Sequence, residues 1–170
     1  MFRLRFIFGL LLVLVPAHPG LRGQDQEEDI LLFSSAIDTV QAYLSPGAVV
    51  LDFSSEEVFL QPIGQDLVDA LKDKPRSGRS YSTGSTEEII ECWVPDPERD
   101  PYTQRCRMNE AVSGVIRPAG LREKDGGVEV QLVLDSVGES GIRSLRVATV
   151  RMKETWLGRW VIENISWTKV

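Results

Sequence analysis

From Val128 onward the chain alternates in polarity in a way that suits a half-buried β-sheet. Val128, Val130, Leu132 and Leu134 occupy every second position, with Glu129, Gln131 and Asp135 among the residues between. Successive strand side chains point to opposite faces, so one face is apolar and the other wet. Asp125-Gly126-Gly127 supplies a turn before this run, and residues 138–141 supply one after it. Leu157-Gly158 marks a third tight connection, with Gly158 suited to a positive φ. The expected strands 128–136, 144–156 and 159–167 then form a sequential antiparallel meander. Alternation weakens at the adjacent Val147 and Ala148, which fits a bulge or burial on both faces.

An apolar sheet face needs a cover. Ile30, Phe33, Ile37, Val40 and Leu44 recur at i, i+3, i+7, i+10 and i+14, a helical stripe that Ala36 and Tyr43 widen. Pro46-Gly47 stops this helix, and Asp29 with its acidic neighbours favours its start. Phe33, Ile37 and Val40 should face sheet residues such as Val130 and Leu132, with Gln41 on the opposite side. A shorter helix is expected over residues 65–72, where Leu67, Val68 and Leu71 share a face. Between the helices, apolar runs at 48–53 and 58–61 around Ser54-Ser55-Glu56-Glu57 read as a small hairpin. Residues 72–80 read as loop, and further strands are expected at 87–94 and 106–116. Pro95, Pro97 and Pro101 keep residues 95–102 out of any central strand. Trp156 and Trp160 flank the last turn and are placed to face each other across it. No repeat or linker divides the chain, so residues 30–170 make a single α+β domain: an N-terminal helix on a curved, mainly antiparallel sheet.

The amino-terminal residues belong to a different category. Arg3 and Arg5 precede the apolar run 6–15, Pro16 ends it, and small residues follow at Ala17, Gly20 and Gly23. That order is the order of a secretory signal peptide, assigned to residues 1–23. Val15-Pro16-Ala17 and Leu21-Arg22-Gly23 both fit a cleavage site loosely, and the second is favoured because polar sequence begins at Gln24. An apolar run of about ten residues is half of what a spanning helix needs. Residues 24–29 (QDQEED) read as an acidic, disordered lead-in. The expected location is exported, periplasmic or secreted, with no membrane span after cleavage.

Loss of Arg3, Arg5 and Arg22 with the leader leaves 16 basic against 25 acidic residues, a net charge of −9 instead of −6. Such a chain is repelled by phosphate backbones, so nucleic acid is not an expected partner. The one histidine, His18, lies in the leader. Ser-His-Asp and Cys-His catalysis and histidine-bearing zinc sites are therefore excluded from the mature domain. Cys92 and Cys106, with thirteen residues between them, are expected to form a disulfide in an oxidising compartment. Two free buried thiols are the alternative, and a metal site lacks the further soft ligands it needs.

Other motifs have ordinary readings. Asp96, Glu98 and Asp100 alternate as calcium ligands do, but Pro101 and Arg107 stand where such a loop needs glycine and glutamate, so a solvated turn is expected. Asn164-Ile165-Ser166 fits the glycosylation pattern but lies within an expected strand. The serines of residues 80–85 lack the lysine of a phosphate loop, and 138–141 falls one residue short of a nucleophile elbow. Nothing calls for a cofactor or a metal. The four tryptophans suit core packing, with a cavity lining as the alternative.

The element order, ending in Gly158-Arg159-Trp160-Val161-Ile162, resembles the nuclear-transport-factor-like superfamily of cystatin-like α+β cones. Many members end in a Gly-x-Trp-x-Ile strand. The resemblance implies a helix packed in a cone of sheet, and a family that spans isomerases, dehydratases, small-molecule binders and scaffolds. The His-Asp pairs of its enzymes have no counterpart here. The expected function is a non-catalytic binding or interaction module with a protein or small-molecule partner. The alternative is an enzyme using carboxylate acid/base chemistry in the cone's cavity, with Tyr43, Tyr81 or Asp52 as its groups. A cystatin-like protease inhibitor lacks its Q-x-V-x-G loop.

Overall fold

A computed structural model describes residues 26–54, 63–73 and 79–170. The expected signal peptide and the expected strand at 58–61 lie outside the described residues. The elements run α1 (Gln26–Val40), a 3-10 turn (Gln41–Tyr43), β1 (Ala48–Leu51), α2 (Gly64–Lys72), β2 (Tyr81–Thr83), α3 (Thr86–Ile89) and β3 (Ile90–Trp93). Then follow β4 (Arg105–Met108), β5 (Val112–Lys124), β6 (Gly127–Val137), β7 (Arg143–Glu154) and β8 (Trp160–Lys169). The main sheet has the order β2-β1-β5-β6-β7-β8, and β3 pairs with β4 in a separate two-stranded sheet. This is the expected α+β architecture, a helix on a mostly antiparallel sheet.

The helical stripe does what its spacing implies. Leu32, Phe33, Ala36, Ile37 and Val40 are buried against Val130, Leu132, Ala148, Val150 and Met152. Each of the larger side chains among them removed from water contributes about 1.5–3 kcal/mol. Leu67, Val68 and Leu71 of α2 close the same core from the side. The β6–β7 and β7–β8 ladders are antiparallel and tightly connected, and Gly158 takes φ +71 in the last turn.

Several expectations need correction. Helix α1 begins at Gln26, so Gln26–Asp29 are helical and not an unstructured lead-in; Glu27, Glu28 and Asp29 complement the positive end of the helix dipole. Strand β1 pairs with β2 on one side and β5 on the other, each in parallel register, where the sequence pattern implies a hairpin partner at 58–61, outside the described residues. The strand expected at 87–94 opens with the single turn α3, held by a Ser85–Glu88 capping box. The strand expected at 106–116 is two, divided where the Asn109 side chain accepts from the Ala111 N–H. Strand β5 then runs on through Pro118, where a register shift between Pro118 and Gly120 accommodates the missing N–H. Further register shifts fall between Ala48 and Val49, where β1 meets β5, and between Arg151 and Met152, where β7 meets β8, beyond Val147 and Ala148.

Gln41, expected on the outer side of the helix, is buried, because the chain tightens to a 3-10 turn there and rotates it inward. Trp156 and Trp160 do not pair: Trp160 sits opposite Glu154, and Trp156 projects from the turn, 91% exposed. Cys92 and Cys106 face each other across β3–β4 and form the expected disulfide, with Cα atoms 4.0 Å apart. That hairpin covers Val50 and Val115 on the face of the sheet away from α1. Among the described residues, no helix is long and apolar enough to cross a membrane.

Candidate functional site

The helix-covered face is longer than the helix. Rungs formed by Val130, Val150 and Ile165, then Leu132, Ala148 and Trp167, lie under α1. One rung further, Leu134 stands opposite Arg146, and the next pairs Ser136 with Ser144. Helix α1 has ended by then, and the face turns polar where its cover stops. Leu44 drops onto Gly114, whose missing Cβ leaves the space: a Cβ there would meet the Leu44 methyls at 2.8 and 2.9 Å.

What remains is a recess of about 230 Å³. Tyr43 and Trp167 form one wall, packed edge to face with centroids 4.7 Å apart. Ser45, Ser113, Ser136 and Ser144 contribute hydroxyls around it. The Arg79 guanidinium fixes the rim, donating to the Leu44 carbonyl at 3.1 Å and the Ser45 carbonyl at 2.9 Å. Such carbonyls past a helix end are common arginine acceptors. Arg146 lines the recess, is exposed, and makes no hydrogen bond or ion pair with any described residue. No described lining residue carries a carboxylate.

The buried ion pair at this end of the sheet belongs to the opposite face. Asp135, fully buried, accepts two hydrogen bonds from Arg143 Nε and a further one from Nη2. Hydrogen bonding to Asp135 raises the Arg143 pKa. The pair fastens β6 to β7 just behind the recess.

The groups named for acid/base chemistry are not brought together. Asp52 is fully buried past the end of β1 remote from the recess. It accepts from the backbone N–H of Ser54 and of Thr86, each at 2.9 Å, and from both their hydroxyls. Burial alone would raise its pKa; the four hydrogen bonds outweigh that and hold it below the usual aspartate value. The Tyr81 hydroxyl donates to Gln41 Oε1 inside the core. Tyr43 alone reaches the recess, 57% exposed. Asp96 and Asp100 are spent on local turns, accepting from the N–H groups of Arg99 and of Tyr102 and Thr103. Asn164 is exposed on β8.

Arg146 and the serine rung escaped the sequence reading. Their signal was present: Arg146 shares the period-2 register of Ala148, Val150 and Met152, a charge on an otherwise apolar face. No family model, curated protein or solved structure matches the chain.

Proposed function

We propose that this chain is an exported, non-catalytic binding module whose ligand enters the recess beside Tyr43 and Trp167. The observation that carries this reading is the end of the sheet face beyond helix α1, where an aromatic wall, several serines and a guanidinium with no partner among the described residues converge. Small-ligand sites combine apolar and aromatic walls with convergent polar groups, and here the polar share of the lining is the larger. Such sites commonly measure about 300–1,000 Å³, so a recess of about 230 Å³ favours a ligand on the scale of one ring. The leader sequence and the Cys92–Cys106 bond support export. The engagement of Asp52 and Tyr81 elsewhere favours binding over acid/base chemistry. The likeness to nuclear-transport-factor-like cones belongs to the same proposal, as a scaffold that places a cavity at one end of a helix-packed sheet.

A fragment screen on the mature chain, followed by NMR at the Trp167 indole N–H, tests the reading. Ligands should shift that resonance and its neighbours at Ser136 and Ser144. Hits that map only to other faces, or an absence of hits, would overturn it. Export is tested by intact mass: the mature chain should begin between His18 and Gln24, and exported protein retaining Met1 would refute the leader.

A further inference from the structure

We propose that the recess takes a small aromatic carboxylate, with its anionic group held between Arg146 and Lys169 and its ring against Trp167. This deepens, and rests on, the reading of the recess as a ligand site. Arg146 of β7 and Lys169 of β8 are direct cross-strand partners on the helix-covered face. Residues so placed have Cβ atoms about 4.5–5.5 Å apart, and like charges there oppose each other. Neither cation forms a hydrogen bond or ion pair with any described residue. In a mature chain carrying −9, two adjacent cations with no acidic partner among the described residues are an anomaly of local charge. Of the two cations Arg146 lines the recess and Lys169 stands beside it as its cross-strand partner, while the nearest acids along the chain, Glu139 and Glu163, do not line the recess.

An anion between the two side chains turns their repulsion into two charge-assisted hydrogen bonds. The ring follows from the register. Trp167 pairs with Ala148, one rung inward from the Arg146–Lys169 pair. Same-face residues on one strand lie about 7 Å apart, so a ring joined to its carboxylate by one or two bonds spans the indole and the cations. Tyr43, edge-on to Trp167, closes the far side of that ring position. The hydroxyls of Ser136 and Ser144, one rung outward, are placed to meet a second carboxylate oxygen or a ring substituent.

Titration of the mature chain with sodium benzoate, benzyl alcohol and inorganic phosphate, followed by the Trp167 indole N–H, tests this. Benzoate should bind at least tenfold more tightly than benzyl alcohol and than phosphate. Arg146→Gln and Lys169→Gln should each weaken benzoate about tenfold and leave benzyl alcohol unchanged. Each should also raise the melting temperature of the ligand-free protein, a readout that folding damage cannot imitate. Equal binding of benzoate and benzyl alcohol overturns the anion assignment while leaving the recess as a ligand site. Phosphate binding as tightly as benzoate overturns the role of the ring. If no probe shifts Trp167, the carboxylate proposal falls; only an empty fragment screen at that resonance would remove the recess itself.

Discussion

The indole Nε1 of Trp160 donates to Glu28 Oε1 at 3.1 Å, joining the last strand of the sheet to the first turn of the first helix. The helix and the meander are thus fastened at one end by this bond and along their length by apolar contact. Ile37→Ala removes a fully buried side chain from that contact and should cost about 2–5 kcal/mol. Leu31→Ala, on the exposed side of the same helix, should stay within about 0.5 kcal/mol. Urea melts of both variants give the comparison; similar small losses would mean that α1 is peripheral.

Gln41 and Tyr81 should behave as a coupled pair. Gln41→Leu takes away the acceptor of a buried hydroxyl and should destabilise by about 1–3 kcal/mol. Combined with Tyr81→Phe, the double variant should lose less than the two single losses together. Additive losses in a double-mutant cycle would show that the hydrogen bond carries no weight.

Two aspartates should pull the acid stability in opposite directions. The Asp52 pKa is lowered on folding, so its contribution is complete above the unfolded value near 3.8 and is lost as pH falls through the lower folded value. Asp29 is raised, first by burial and then by Glu28, so its contribution is present below 3.8 and is lost as pH rises through the folded value. Asp52→Asn should destabilise at neutral pH and flatten the loss of stability below that point. Asp29→Asn should be neutral or stabilising at pH 7. Stability measured from pH 2 to 7 for each variant checks both signs.

Reduction should weaken the fold without changing its topology. Closing a loop of this length contributes about 3 kcal/mol in the chain-entropy description. Cys92→Ser with Cys106→Ser should lower the denaturant midpoint accordingly, and alkylation of the unreduced chain should label neither position. Labelling of both thiols in native protein would contradict the disulfide.

Periodicity made part of this structure legible. The period of two in β6 and the spacing of Phe33, Ile37 and Val40 leave little choice about which faces meet. Strand β1 was legible as a strand, but its partners were not, because a four-residue apolar run says nothing about its neighbours and parallel pairing leaves no turn signature between them. Tyr81–Thr83 has no apolar alternation and is recruited by that neighbour. Gln41 moved inward because a helix that tightens changes the angle between successive side chains. At the recess, Arg146 was readable from its register. The meeting of Tyr43 with Trp167 depends on where α1 ends relative to β8, a tertiary fact that no local pattern encodes.

The parallel seating of β1 bears on the order in which the molecule is assembled. Strands β5 to β8 are joined by short turns and can pair as each leaves the ribosome. Val50, by contrast, must find Ser82 and then Val115, residues made much later. Until they arrive, Val49, Val50 and Leu51 present a bare strand and α1 has no sheet to cover. Long-range pairings of this kind slow folding and prolong the exposure of apolar segments. The amino-terminal half of this chain is thus the part that waits, its apolar residues exposed longest while the rest is being made.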